Sequence, residues 1–234
     1  MEELIRVENL VQRAGGKVIL DNVSFTVGAG EAFGLFGVQG SGKTSLLHIL
    51  AGVDRFSSGT VEVCGFNVRK SEKFKKEMGL VTQVPSLFRD LSAAENLDFL
   101  AALKGASGNS VKETVKRLEL AGCLKERAAK MLPGPYRRLS LACALLGNPR
   151  ILLVDDFADN LDKKSLKLIL GEISRFHQEG GTLVTVFNRP DFFNRAARVG
   201  FLEEGRMQVL EAKAATELWR SQMDYVSGGR GENG

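Results

Sequence analysis

Hydrophobic and polar residues alternate in two stretches of the first third of the chain. Residues 23–27 read VSFTV, and residues 60–68 read TVEVCGFNV. A period of two is typical of strands with one buried face, and antiparallel sheets commonly leave their other face in water. We therefore predict half-buried antiparallel strands in both stretches.

Three other apolar runs lack this alternation. They are AFGLF at residues 32–36, ILLV at residues 151–154 and TLVTVF at residues 182–187. Continuous apolar runs are typical of strands that are buried on both faces of a parallel sheet. A helix is predicted after the first run, ending near Gly52, and another over about residues 163–178. A terminal hairpin is predicted at residues 198–210, with its turn at residues 203–206.

A helical pattern occupies the middle of the chain, from about residue 86 to residue 138. Ser92 and Glu95 have the spacing of a capping box, with Ser92 as the N-cap and Glu95 as the third helical residue. The helix that begins there is expected to end at Gly105. A second helix, with apolar residues at positions 111, 115 and 118, is expected before Gly122. This helical block interrupts the α/β core.

The length and composition limit the number of domains and the kinds of partner but do not indicate a function. The 234 residues fit one large domain, or one domain with a subdomain, and 44% hydrophobic and 26% charged residues are ordinary for a globular protein. The net charge of +4 comes from scattered basic residues, so no nucleic-acid partner is expected. No apolar run approaches the ~20 residues that span a bilayer, and the acidic start MEELIRVENL is unlike a signal peptide. We expect a cytoplasmic domain over residues 1–226, followed by a disordered tail over residues 227–234.

The cysteines and histidines have no metal-binding spacing. Cys64, Cys123 and Cys143 include no CxxC pair, so we interpret them as buried thiols in a reducing compartment. His48 and His177 fall in predicted helices, where a position on a helix face is more typical than a ligand role.

Residues 37–44, GVQGSGKT, fit the pattern G-x-x-x-x-G-K-[ST] between a predicted strand and a predicted helix. In that context glycines let consecutive amides point at one anion, beside the positive end of the helix. A glycine-rich turn that matches by chance is the alternative, which the strand–turn–helix context disfavours. Lys43 would bridge terminal phosphates, and the Thr44 hydroxyl would hold Mg²⁺. The predicted nucleotide site comprises Gly37, Val38, Gln39, Gly40, Ser41, Gly42, Lys43, Thr44 and Ser45.

These features together resemble the ATP-binding subunit of an ABC transporter. Five segments follow the order of that family, over about residues 5–210. They are the P-loop at residues 37–44, LVTQVPSLF around Gln83, SAAENLDFL at residues 92–100, GNPRILLVDD at residues 147–156 and NLD ending at Asp162. The resemblance implies an α/β fold with a P-loop (RecA-like) core, an antiparallel β subdomain and an inserted helical subdomain. It implies ATP and Mg²⁺ as cofactors. It also implies a second ATP-binding domain, as homodimer or heterodimer, and a transmembrane permease subunit that holds the chain on the cytoplasmic face of the membrane.

The resemblance assigns roles to three polar residues. Asp155 matches the acid that holds Mg²⁺ through water, and Gln83 matches the glutamine that contacts Mg²⁺ and the transmembrane partner; a solvated loop residue is the alternative for Gln83. Asp156 stands where the family has a glutamate as general base. It is one methylene shorter, about 1.5 Å, and a base must lie within ~2.6–3.2 Å of its proton. Asp156 is therefore either a weakened catalytic base or only a second acid near the metal.

Three further positions depart from the family pattern. Ala14 stands where an aromatic side chain stacks on adenine. Residues 131–135, MLPGP, stand where the signature LSGGQ precedes a helix, so Leu132 lacks the hydroxyl and two prolines lack the amides that would face a γ-phosphate. Asn188 matches a histidine that contacts the γ-phosphate, and Arg189 could supply a positive charge there.

Two functions follow from the resemblance. The first is an ATP-binding subunit that closes as a dimer and drives a transmembrane partner; SAAENLDFLAALKG at residues 92–105 resembles subunits of exporters. The second is a regulatory or scaffold subunit that binds ATP with little or no hydrolysis. Slow turnover is expected in either case. A soluble ABC-type ATPase acting on nucleic acid is disfavoured, because the sequence contains neither a second ATPase domain nor a long coiled coil.

Overall fold

A computed structural model of the protein describes residues 2–83, 87–155, 161–186 and 196–218. The strands form two sheets, one antiparallel and one mostly parallel, and helices pack against the larger one, which is the predicted α/β fold. The strands are β1 (Glu3–Ala14), β2 (Lys17–Gly28), β3 (Ala32–Phe36), β4 (Ser58–Val63), β5 (Phe66–Asn67), β6 (Met78–Val81), β7 (Ile151–Val154), β8 (Thr182–Val186), β9 (Arg198–Glu203) and β10 (Arg206–Glu211). The α-helices are α1 (Lys43–Leu50), α2 (Ala93–Lys104), α3 (Gly108–Arg117), α4 (Pro133–Leu145) and α5 (Lys163–Gln178).

The smaller sheet is antiparallel, with strand order β2-β1-β4-β5. Its strands β2 and β4 contain the alternating stretches, which confirms that prediction. The stretch at residues 60–68 is divided into two strands by a two-residue turn at Cys64 and Gly65, whose φ angles are 50° and 76°. A similar turn at Gly15 and Gly16, with φ of 57° and 78°, joins β1 to β2.

The larger sheet has the order β10-β9-β3-β8-β7-β6. Its strands β3, β6, β7, β8 and β9 run parallel, and β10 pairs antiparallel to β9 at one edge. The predicted buried strands β3, β7 and β8 are indeed buried along their whole length, and the terminal hairpin has its turn at residues 204–205, as predicted. The carboxyl ends of the five parallel strands share one edge of the sheet, which is where α/β proteins bind ligands.

Two hydrophobic clusters cover the two faces of the larger sheet. One lies between the two sheets and includes the apolar side of α1. The other lies between the larger sheet and helices α2, α4 and α5. Helix α1 is thus fixed between the sheets, with the loop before it at the carboxyl edge of β3.

The helical block confirms the predicted capping box. Ser92 Oγ accepts a hydrogen bond from Glu95 N, and Glu95 Oε2 accepts one from Ser92 N at 2.7 Å. Gly105 ends α2 in the left-handed region at φ 69°. Helix α3 is shorter than expected, because Leu118 is its C-cap rather than a helical residue.

The side-chain chemistry away from the sheet edge is unremarkable. Cys64, Cys123 and Cys143 are free thiols; Cys143 is buried, whereas the other two are only half-buried. Burial raises the pKa of Cys143 to about 12 and that of Cys64 to about 11. Within the described ranges, no helix is long and apolar enough to cross a membrane.

Candidate nucleotide site

The loop from Gly37 to Gly42 joins β3 to α1 at the carboxyl edge of the larger sheet. A side chain at Gly37 would overlap the carbonyl oxygen of Leu202 in β9 and lie 2.7 Å from Ser41 Oγ. A side chain at Gly42, where φ is 105°, would lie 2.8 Å from Leu20 Cδ2. Both glycines are therefore required by close packing, which fixes the loop against β9 and β2.

Lys43 lies in the concave side of this loop and is 6% exposed. Its Nζ donates hydrogen bonds to the carbonyl oxygens of Gly37 at 2.7 Å and Val38 at 2.9 Å. The ammonium group is thus held over the loop, where the sequence predicts a phosphate. Ser41 Oγ is also buried there and has no hydrogen-bond partner among the described residues. Val38, Gln39 and Gly40 of the loop are exposed, and so is Thr44 in the first turn of α1.

The structure brings Thr44 and Asp155 together, although they are distant in sequence. Thr44 Oγ1 donates a hydrogen bond to Asp155 Oδ1 at 3.3 Å. The backbone N–H of Asp155 donates to the carbonyl of Val81 at 2.8 Å, which fixes the residue at the end of β7. Asp155 is 1% exposed, and its Oδ2 atom has no hydrogen-bond partner in the described part of the chain.

Burial raises the pKa of Asp155, because the charged form is poorly solvated. The hydrogen bond from Thr44 and the nearby side chains of His48, Lys43 and Arg137 act in the opposite direction. An anionic oxygen that is buried and unpartnered is costly, and a cation beside it would remove this cost. Oxygen donors are the ligands that Mg²⁺ prefers.

Of the other predicted site residues, only Gln83 and Ser45 are among those that the structure describes. Gln83 is exposed and lies two residues after the end of β6, at the same edge of the sheet as Asp155. Ser45 is half-buried in the first turn of α1. Asp156, Asn188 and Arg189 lie outside the described residues.

Ala14 lies at the end of the β1–β2 hairpin and is exposed. It pairs with Lys17, and the same hairpin reaches the P-loop where Ile19 and Leu20 approach Gly42. The hairpin is thus next to the predicted phosphate site. Its tip, RAGGKV at residues 13–18, contains no aromatic side chain.

Helix α4 begins at Pro133, with Leu132 as its N-cap. Leu132 makes no side-chain capping hydrogen bond, and it is 71% exposed. Proline fits the first turn of a helix because its missing N–H would have no intrahelical partner there. The helix therefore forms normally, while two of its first N–H groups are absent.

The sequence did not single out one polar residue near this edge. Arg137, in the second turn of α4, donates a hydrogen bond from Nη1 to the carbonyl of Thr82 at 2.7 Å. Thr82 directly precedes Gln83. No motif marks such a contact, because the two residues are 55 positions apart in the chain.

The comparison with protein families agrees with this geometry. A family model described as ABC transporter matches residues 20–159, which is more than half of the chain. The chain belongs to the ABC transporter family. Within that family it is an ATP-binding domain.

Of two relatives of this ABC domain, one is named for resistance and the other for import. The linearmycin resistance ATP-binding protein LnrL of Bacillus subtilis is 30% identical over 90% of this chain and 70% of its own length. The spermidine/putrescine import ATP-binding protein PotA of Pseudomonas aeruginosa is 30% identical over 89% of this chain and 59% of its own length. A dimeric ATP-binding cassette solved in a post-hydrolysis state with ADP and Pi has a TM-score of 0.81 at 24% identity. That structure covers 89% of this chain and 99% of its own, and at this identity the likeness shows the shared fold.

Proposed function

We propose that this ABC domain binds Mg²⁺–ATP at the P-loop and closes as a dimer to drive a transmembrane partner. The observation that carries the proposal is the cluster of Lys43, Thr44 and Asp155 at the carboxyl edge of the sheet. Lys43 Nζ and the loop amides would bind the phosphates. The Thr44 hydroxyl, Asp155 and Gln83 would hold Mg²⁺.

The residues present fit both cofactors. Ser41 Oγ and Asp155 Oδ2 are buried and lack hydrogen-bond partners among the described residues, so the site offers one donor to an anion and one oxygen to a cation. Mg²⁺, when bound, neutralises charge on the phosphate oxygens. The described residues contain no cluster of three His, Cys, Asp or Glu side chains, so a metal held without nucleotide is not expected. A site with one carboxylate fits a metal that arrives with phosphate ligands.

An apolar groove supports a transmembrane partner. It has a volume of about 320 Å³ and is lined mainly by apolar residues of β6, α2 and α4, with Lys75 and Lys104 among its walls. Val53 lines the groove and is 61% exposed. Phe88, Phe99 and Leu103 directly neighbour lining residues in the chain and are 48%, 48% and 64% exposed. Phe88 and Phe99 form an edge-on pair with ring centres 4.9 Å apart. The occupant we propose is a cytoplasmic helix of the permease with apolar residues and an acidic one that faces the lysines.

The groove also adjoins the nucleotide site, since Thr82 lines it and Gln83 follows directly. Co-purification with the permease tests the assignment. Phe99→Asp or Leu103→Asp should abolish co-purification, because each substitution puts a charged side chain where an apolar one would contact the permease. Val18→Asp is the matched control, since Val18 is an exposed apolar residue of the β1–β2 hairpin, at 43%, and does not line the groove. Equal loss of the permease in all three variants would contradict the groove as the docking site.

An export direction is favoured by the resemblance of residues 92–105 to exporter subunits. The name of LnrL concerns resistance, whereas that of PotA concerns import. Transport assays with the permease in inverted vesicles distinguish the directions, because an exporter accumulates substrate inside such vesicles when ATP is added outside. The second candidate, an ATP-binding regulatory subunit with little hydrolysis, is favoured by the exposed apolar Leu132 and the prolines at the start of α4.

The nucleotide site is tested by calorimetry with ATP, with and without Mg²⁺. The wild type should bind Mg²⁺–ATP, and Lys43→Ala should abolish binding because the phosphates lose the ammonium group. Lys112→Ala is the control, since Lys112 is an exposed lysine of α3. Undiminished affinity in Lys43→Ala would mean that the nucleotide binds elsewhere. ATP turnover with the permease then separates the two functions.

A further inference from the structure

The guanidinium group of Arg137 connects helix α4 with the segment that carries Gln83. Arg137 Nη1 donates to the carbonyl oxygen of Thr82 at 2.7 Å, and the contact is partly buried. Thr82 follows the last residue of β6 and precedes Gln83. Gln83 itself is exposed. Because Gln83 follows Thr82 directly, the place of its backbone depends on that of Thr82.

Two successive carbonyl groups hold this segment from two sides. The carbonyl of Val81 accepts a hydrogen bond from the backbone N–H of Asp155 at 2.8 Å, and the carbonyl of Thr82 accepts the one from Arg137. The first bond ties the segment to the end of β7. The second ties it to α4, a helix that packs against β6 across the second hydrophobic cluster. Gln83 thus follows a segment that is bound both to the end of β7 and to helix α4.

The contact has the properties of a strong hydrogen bond. A charged donor makes shorter and stronger bonds than a neutral one, and a rigid guanidinium loses less conformational freedom than an ammonium when it forms them. Arg137 is therefore suited to hold the Thr82 carbonyl in one place.

We propose that Arg137 is a positioning residue for the metal end of the nucleotide site. It holds the Thr82 carbonyl and thereby sets the place of Gln83 relative to Asp155, so that a shift of α4 reaches Gln83 through this hydrogen bond. The inference rests on the proposed function, because it needs Mg²⁺–ATP at this site. Outer partners of metal ligands commonly affect metal affinity about 10- to 100-fold.

The test measures ATP affinity in EDTA and, separately, the Mg²⁺ concentration at half-maximal enhancement of ATP binding. Arg137→Gln should leave the affinity in EDTA within about twofold and raise the Mg²⁺ midpoint about 10-fold, as expected for a lost outer partner. Arg137→Lys, which keeps a charge and a donor, should give an intermediate midpoint. Arg150→Gln is the matched control, because Arg150 pairs with the exposed Glu2 at the opposite edge of the sheet and should not change the midpoint.

A double-mutant cycle with Gln83→Ala makes the test specific. If Arg137 acts through Gln83, most of the effect of Arg137→Gln on the Mg²⁺ midpoint should disappear in the Gln83→Ala background. An unchanged midpoint in Arg137→Gln, an equal loss of affinity with and without Mg²⁺, or full additivity with Gln83→Ala would overturn the inference. If Arg137→Gln does not fold, the Mg²⁺ midpoint of Arg137→Lys is compared with that of the wild type in the same two backgrounds. A wild type that binds no ATP would instead refute the proposed function.

Discussion

Gly134 and Asp162 lie in direct contact where the first turns of α4 and α5 meet. A side chain at Gly134 would overlap Asp162 Oδ2 and Ser165 Oγ. Asp162 is the N-cap of α5, and its Oδ1 accepts a hydrogen bond from the backbone N–H of Ser165 at 2.8 Å. The hydrogen bonds from Ser165 lower the pKa of Asp162. The glycine is thus required for this contact between the two helices.

We predict that Gly134→Ala lowers the free energy of unfolding by about 1–3 kcal/mol, the usual cost of overpacking. Gly171→Ala is the matched control, because Gly171 lies inside α5 with open space around its Cα. It should stabilise the protein by ~0.5–1 kcal/mol, since alanine favours a helix interior over glycine. Urea unfolding of both variants measures the difference. A Gly134→Ala variant as stable as the wild type would show that the two helices are not constrained here.

The sequence predicts local features of this fold but not contacts between residues that are far apart in the chain. The P-loop, the capping box at Ser92 and the terminal hairpin are local patterns, and each was found where predicted. The contact of Arg137 with Thr82 joins residues 55 positions apart, and no periodicity encodes it. The order of the parallel strands, with β8 between β3 and β7, is likewise set by tertiary packing rather than by local pattern.

Strand β1 shows how an irregularity conceals a strand from a pattern search. Asn9 has a φ of 48°, and the pairing with β2 shifts register between Val7 and Leu10. A bulge of this kind adds a residue and inverts the alternation of buried and exposed positions. The alternating stretches predict strands at residues 23–27 and 60–68, whereas β1 itself is not predicted. The strand nonetheless lies inside the smaller sheet, between β2 and β4.

Asp155→Asn should stabilise the nucleotide-free protein at neutral pH. Burial raises the pKa of Asp155 above its ordinary value of 3.8, so the folded protein binds this proton more tightly than the unfolded chain does. The ionised group therefore destabilises the fold above its raised pKa, and this penalty disappears as the pH falls below the ordinary value. Asparagine removes the penalty. The gain in unfolding free energy should be largest near pH 7 and shrink toward pH 4.

Urea unfolding in EDTA over this pH range measures the effect. Asp98→Asn, which removes an exposed carboxylate of α2, is the control and should stay within about 0.5 kcal/mol of the wild type. Adding Mg²⁺–ATP should reverse the order, because the wild type gains the stabilisation of a bound ligand. A stability difference that is independent of pH would contradict burial of the charge as its cause.

Ala14→Tyr should tighten ATP binding by up to ~1–3 kcal/mol, the range for stacking of an aromatic side chain on a base. The substitution is expected to fold, because Ala14 is exposed at the end of a hairpin. Calorimetry with ATP and with inorganic triphosphate separates stacking from other effects, since triphosphate has no base. An equal gain for both ligands would mean that stacking on adenine is not the cause.

Hydrolysis by the isolated protein should be slow, because departures from the family pattern affect both halves of a shared site. Asp156 and Asn188, which lie outside the described residues, would weaken the site on the chain's own P-loop. Leu132, Pro133 and Pro135 would weaken the site that this chain completes on its partner. In a homodimer every site has both defects. With an intact partner each site has one kind, so turnover should improve without reaching that of a fully intact pair.

No single reversion should rescue turnover. Asp156→Glu restores the reach of a general base, which is worth ~10²–10⁴-fold where the rest of the site is complete. It leaves the γ-phosphate without donors from α4, so little gain is expected alone. Leu132→Ser, Pro133→Gly and Pro135→Gln return a hydroxyl and two N–H groups to the helix start. Combining them with Asp156→Glu and Asn188→His should exceed the summed effects, because catalytic groups act as a unit. ATP turnover by each variant, compared with the wild type, tests this; a wild-type rate equal to that of intact ABC ATPases would contradict it.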